Sequence, residues 1–182
     1  MNAAVFPDID AAFDWYVVTK DGLHGLRAAI QCGAVLSEHI EDKLFGMTPS
    51  EWHDYRRKLN SQHEVFATLA LFAACEGGIR RDFEWRSRGE FGQAHCQRFL
   101  KIRRQADEKS ASLNDILTAW IGAEKEKTWL RQRWFQLLEL FRQRNDLAHG
   151  CIVEHVAVER VYDLLCLIRE KWRDGVSDFR GY

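Results

Sequence analysis

Proline is nearly missing from this chain, with two residues in 182 beside twelve glycines and no low-complexity tract. That excludes collagenous, proline-rich and linker-like architectures. Net charge is also lacking: 26 Lys and Arg stand against 27 Asp and Glu. The chain as a whole is therefore no polybasic coat for nucleic acid or membrane, although a local patch remains open. The longest apolar run, residues 65–75 with one threonine inside, is eleven residues. A bilayer span needs about 20, so this run suits a buried helix and no membrane partner is expected. No basic leader opens the chain, and three aspartates precede Trp15, so the start does not read as a secretory signal. Five scattered cysteines without a CxxC pair predict reduced thiols in a cytoplasmic protein, several of them in core positions. GxGxxG, P-loop and GxSxG motifs are absent, and no cofactor is called for.

What is present is apolar, aromatic and helical in period: 46% of residues are hydrophobic and 12% aromatic, which argues against disorder. A short helix is expected over 9–19. A longer pattern follows Gly25, with Leu26, Ile30, Ala34, Leu36 and Ile40 near one stripe, and stops near Gly46. The string TPSEW then reads as a helix start, with Thr48 as N-cap, Pro49 in the first turn and Glu51 at the capping-box position. Residues 61–85 are apolar on more than one face, as a central bundle helix would be, although Gly77 and Gly78 weaken its continuity. A turn is expected at 87–92, a basic helix at 94–107, and a capped helix after Ser112. The clearest amphipathic pattern is 128–145, with Leu130, Trp134, Leu137, Leu138 and Phe141 at three- and four-residue spacing. Gly150 is its stop, 151–153 is at most a short extended connector, and a last helix covers 156–172. These elements predict one all-α domain over 1–182, an antiparallel bundle of long helices.

Polar chemistry concentrates at the end of the 128–145 helix, in RNDLAHG at 144–150. An ordinary reading exists: Arg142, Arg144 and His149 would complement the helix dipole, while Asn145 and Asp146 would cap. A functional reading comes from resemblance. The chain resembles the HEPN family (higher eukaryotes and prokaryotes nucleotide-binding), all-α bundles whose nuclease members carry arginine, a polar residue, and histidine after four to six intervening positions. Here these are Arg144, Asn145 and His149, flanked by two apolar helices. The resemblance covers about 61–171, with 86–126 aligning loosely as an additional helical insertion. Some HEPN groups also place an acidic residue in the earlier long helix, facing the motif, and Glu76 in FAACEGGIRRDF matches. Glu76 would either brace Arg144 or pair with an arginine for structural reasons alone. In toxins paired with a nucleotidyltransferase antitoxin, tyrosine commonly follows the histidine by two positions. Cys151 stands there instead, which puts that style of control in doubt.

The resemblance implies a metal-independent endoribonuclease, acting in a toxin, phage-defence or stress setting with an antitoxin or defence partner protein. The attacking group would be the substrate's own 2′-hydroxyl, which DNA lacks. Histidine titrates near neutral pH and serves as general acid or base. Arginine's planar fork stabilises charge building on the phosphate without a metal. Asn145 would orient. On an unbroken helix, positions five apart lie about 140° apart in projection, so either the helix frays near Leu147 or the Arg144 side chain reaches around. One histidine is half of an acid–base pair, and the family's answer is a homodimer whose two motifs meet.

Charge partition points to a polyanion. Residues 79–104 hold eight basic side chains against three acidic, and 125–144 hold six against two. Arg80, Arg81, Arg98, Lys101, Arg103, Arg104 and Arg142 are the candidate RNA contacts, with solvated helix faces as the plain alternative. Trp85, Trp129 and Trp134 lie in these segments and would stack bases if exposed; Trp134 is expected in the core. The set His149, Cys151, His155 matches no zinc spacing, so no metal site is assigned. The rival to the nuclease is a non-catalytic HEPN module that dimerises and binds nucleotide or a partner protein. Such a module has no need of an intact Arg144, Asn145 and His149.

Overall fold

The computed structural model describes residues 7–44, 46–88, 95–106, 111–150 and 157–182. Seven helices occur among them and no strand: α1 (Ile9–Gln31), α2 (Glu38–Leu44), α3 (Pro49–Ser87), α4 (Cys96–Gln105), α5 (Leu113–Ala123), α6 (Thr128–Ala148) and α7 (Val158–Gly175). They form a packed helical bundle, and no helix among the described residues is long and apolar enough to cross a membrane. The connector expected at 151–153 and most of the turn at 87–92 lie outside the described residues.

Local signals set most of the ends. Asp8 caps α1 by accepting from the Ala11 amide. Thr48 and Glu51 form the anticipated capping box, with Pro49 in the first turn. Ser112 caps α5 through the Asp115 amide. Gly150, at φ +75°, lies just past the His149 C-cap of α6, where a left-handed residue ends a helix at least cost.

Two expected boundaries are absent. The 9–19 helix and the pattern after Gly25 are one helix up to Gln31, broken only at Gly33, whose φ is +80°. A Cβ at Gly22 or Gly25 would touch nothing within 4 Å, so both are tolerated costs of about 1 kcal/mol each, offset by packing of α1 along α3. Likewise the start at Thr48 and the apolar helix expected at 61–85 are a single 39-residue α3. It runs through Gly77 and Gly78, and Gly78 has a packing reason: a Cβ there would collide with the backbone nitrogen of Tyr182. α3 packs against α1, α4, α5, α6 and α7, the central place its wide apolar surface suggests.

The core is aromatic. Trp120, Trp134 and Trp172 are fully buried and meet edge-on or tilted at 5.3–5.8 Å, the arrangement that sets positive ring edges against negative faces. Phe179 stacks on Trp172 at 4.1 Å. Residues outside 61–171 join this core: Ile9, Ala12 and Tyr16 from α1, and Val176, Phe179 and Tyr182 after α7. Segment 86–126 is woven into it as well, through Phe99, Ile116, Leu117 and Trp120. Of the described cysteines only Cys75 is fully buried; Cys96 and Cys166 are half-buried and Cys32 is exposed.

Arg86 departs from the expectation for a basic segment. Its side chain is 0% exposed, with Nε donating to Asp82 Oδ2 at 2.8 Å and Nη2 to Asp178 Oδ1 at 2.9 Å. Its guanidinium lies 4.7 Å from the Trp120 ring. Asp82 also accepts from the Arg180 amide at 3.0 Å, which ties the segment after α7 to α3. Burial pushes the Asp82 carboxyl above its ordinary value despite the guanidinium beside it.

Candidate active site

α6 continues unbroken to Ala148, three residues beyond the expected end, so there is no fraying at Leu147. Arg144 and His149 therefore project in different directions, about 140° apart on the helical wheel. Arg144 turns inward. Its Nη2 donates to Glu76 Oε2 at 2.6 Å across the α3–α6 contact, and its guanidinium lies 5.4 Å from the Phe141 ring. Glu76 is shared: Arg80, one turn further along α3, donates through Nε to Oε1 at 2.8 Å. Arg80 Nη1 reaches the Ala111 carbonyl at 2.9 Å. One carboxylate thus joins α3, α6 and the entry to α5. The side chains are partly buried, 21% exposed for Glu76, 29% for Arg144 and 34% for Arg80. A carboxylate flanked by two guanidiniums holds both in fixed orientation.

Above this pair lies a cleft of about 660 Å³ between α6 and the start of α5, lined on one side by Phe135, Leu138, Glu139, Phe141, Arg142, Arg144 and Asn145. Ser112, Leu113 and Asn114 supply the other wall. Asn145 is exposed on it. His149 is exposed at the α6 C-cap. Four residues past Asn145, it belongs to the same outer face of the helix. Arg142 spends its fork on Glu139, at 2.6 and 2.9 Å. Its hydrogen bonds hold the exposed Glu139 carboxyl below the usual value. Arrayed this way, an oriented guanidinium occupies the inner wall and a carboxamide the outer rim, while the imidazole lies outside the cleft lining, at the C-cap one turn beyond Asn145. Such a set can hold an anion and exchange a proton beside it.

The basic candidates do not converge on one surface. Arg80 is committed to Glu76 and Ala111. Arg98 and Lys101, one turn apart on α4, line a second cleft of about 500 Å³ against α5, with Arg98 also donating to the Ala119 carbonyl at 3.3 Å. Arg103 turns to Ser87 Oγ at 3.3 Å, and Arg81 and Arg104 are exposed, Arg104 one turn beyond Lys101 on α4. Ala111 borders the second cleft and Ser112 the first, so the two grooves flank the beginning of α5. Trp134 is fully buried, as expected, while Trp129 is exposed. Trp85 carries Arg180 at 4.0 Å from its ring, so that face is already covered.

Sequence reasoning missed Phe135 and Asn114. Phe135 is half exposed in the cleft. Its signal was present: it interrupts the polar side of the amphipathic 128–145 pattern. Asn114 had no signal, because its proximity to α6 arises only from packing of α5. Cys151 and His155 lie outside the described residues, and among those described no group of three or more His, Cys, Asp and Glu is placed to hold a metal ion. Comparison with known proteins returns no match to any family model, to any curated protein or to any solved structure.

Proposed function

We propose that this chain is a HEPN-type, metal-independent endoribonuclease of the cytoplasm. The observation that carries the reading is the 2.6 Å Glu76–Arg144 pair beneath the cleft rimmed by Asn145, with His149 at the adjoining helix end. An ion pair kept for packing alone does not need to border an open cleft, and this one does, through Arg144 and beside Asn145. In this reading Arg144, held by Glu76, stabilises the charge that accumulates on the scissile phosphate. Asn145 donates to a phosphate oxygen. The substrate's 2′-hydroxyl attacks phosphorus, the bond to the 5′-oxygen breaks, and a 2′,3′-cyclic phosphate is left with a free 5′-hydroxyl. His149 takes the 2′-hydroxyl proton or supplies one to the leaving oxygen. A homodimer that brings two copies of the motif to one cleft provides both, one histidine as base and the other as acid. RNA is the substrate because the nucleophile is ribose's own. A toxin or phage-defence setting, with an antitoxin or sensor partner, follows from the resemblance alone.

The test uses purified full chain, a mixed single-stranded RNA pool and excess EDTA. Wild type is expected to cleave, and His149→Ala to lose about a hundredfold or more in rate with an unchanged circular dichroism spectrum. Equal cleavage by both proteins removes His149 from the mechanism, and activity abolished by EDTA refutes the metal-free reading. Light scattering at micromolar concentration is expected to give the dimer mass. A monomer, or a dimer with the motifs on opposite faces, favours the interaction module instead.

A further inference from the structure

The cleft contains more than a phosphate-and-proton site needs. Phe135 projects from α6 into its far end and is 52% exposed. A half-exposed phenyl ring on the outer side of a helix leaves apolar area in water that a polar residue would not. Half-buried Leu113 and Leu138 border it. Asn114 stands on the opposite wall, exposed, and its carboxamide has no hydrogen-bond partner among the described residues. Asn145 is the same: exposed, lining the cleft, and unpartnered among the described residues. Each of these amides offers both a donor and an acceptor. Positions 135, 138, 142, 145 and 149 fall within about 80° of one another on the helical wheel. They form one stripe that runs from the Phe135 ring past the Glu139-paired Arg142 and the Asn145 amide to His149 at the C-cap.

We infer that Phe135 and Asn114 form a base-binding subsite for single-stranded RNA, with the ring as stacking platform and the carboxamide as reader of the base edge. The polyanion's identity rests on the ribonuclease reading above; the base site itself rests on the ring, the amide and the cleft. Every nucleobase has a π-face, and an exposed aromatic in a groove with cationic walls is how single strands are held. The unpaired edge of a stacked base offers mixed donors and acceptors, which an amide can match and an aliphatic side chain cannot. Arg144 supplies the charge complementarity: its partner Glu76 is shared with Arg80, so the three side chains keep one net positive charge, whereas Arg142 is matched by Glu139, which also lines the cleft. Phe135 and Arg144 are nine residues apart, about 13 Å along the helix axis. The stacked base therefore belongs to a nucleotide flanking the cut, and the subsite sets which sequences are presented to Arg144 and His149.

The test separates base binding from cleavage. Full-length protein carrying His149→Ala is titrated against a fluorescein-labelled hexauridylate and against the same hexamer with abasic riboses, followed by anisotropy. Adding Phe135→Ala is expected to weaken hexauridylate binding about tenfold and leave the abasic strand unchanged. Phe135→Trp is expected to preserve or tighten it, and Asn114→Ala to alter the ranking among homopolymers of the four bases. Equal weakening of both strands, or no change in either, overturns the subsite. So does a Phe135→Ala protein whose mass by light scattering falls from dimer to monomer, because the ring would then be an interface between copies. Base-dependent binding by a wild type that cleaves no RNA would leave the subsite standing and refute the nuclease. Cleavage by wild type with binding indifferent to Phe135 would do the reverse.

Discussion

Glu76→Gln keeps the shape of the side chain and removes its charge, which makes it the most direct probe of the α3–α6 junction. The carboxylate receives Arg144 at 2.6 Å and Arg80 at 2.8 Å. A hydrogen bond to a charged group contributes about 1.5–3 kcal/mol when buried, and an exposed pair about 0.2–1 kcal/mol. With these side chains between a fifth and a third exposed, the Glu76–Arg144 coupling should fall near 1 kcal/mol after solvent screening. In a chain of this size that is about 2–4 °C in Tm. A double-mutant cycle of Glu76→Gln with Arg144→Met, read by urea unfolding, isolates it. The functional effect should be larger in kind: a guanidinium no longer held in orientation costs transition-state stabilisation, so kcat is expected to fall about tenfold or more with KM little changed. Arg80→Met is the comparison, because it removes the other guanidinium and the Ala111 contact. Its loss should show chiefly in Tm and fall short of Glu76→Gln in kcat. A coupling below about 0.3 kcal/mol, which is within the error of additivity, would refute the bracing argument. So would Arg80→Met matching Glu76→Gln in kcat, since general loosening would then explain both.

Two further predictions concern stability. Asp82→Ala removes a carboxylate from the buried Arg86 guanidinium and leaves the Arg180 amide without its acceptor; about 3–5 kcal/mol should be lost, read as a Tm drop far larger than any exposed pair produces, and a drop of only a degree or two would contradict it. His63, stacked on Tyr16 and in contact with Thr19 Oγ1, has its pKa pulled below the ordinary 6.5 by burial. The unfolded chain therefore takes up the proton first, so stability holds above about pH 6.5 and declines as pH falls toward the folded value. His63→Phe should flatten that part of the urea-midpoint profile between pH 7 and 5, and an unchanged slope would assign it elsewhere.

Features written in a few adjacent residues were legible in the sequence. The Thr48–Glu51 box, the Ser112 cap, the Gly150 stop and the buried Trp134 each follow from spacing within a turn or two. The continuity of α1 through Gly22 and Gly25 was not, because glycine's local penalty is outweighed by contacts with α3 that local reading cannot weigh. Arg86 illustrates the same limit: it stands among surface-like arginines, and its second carboxylate partner is 92 positions away. Glu76 and Arg144 could be named as a pair only through resemblance, since they are 68 residues apart. The cleft itself was invisible, being made by α5 lying beside α6.

The length of α3 has a further consequence. At about 1.5 Å per residue its 39 residues extend roughly 58 Å, yet between Trp52 and Ala67 none of its side chains is buried. α1 echoes this, with its buried residues confined to Ile9, Ala12 and Tyr16. The two helices share a heavily packed end and a thinly packed one, so a single rod crosses two regimes of local stability. Its amide protons should exchange with solvent accordingly: those beyond Ala67 only when the whole domain opens, those before it through fraying that leaves the Trp120–Trp134–Trp172 cluster intact. One continuous helix would then behave as two cooperative units, and a proteolytic cut near its first turns would leave the junction of Glu76 and Arg144 in place.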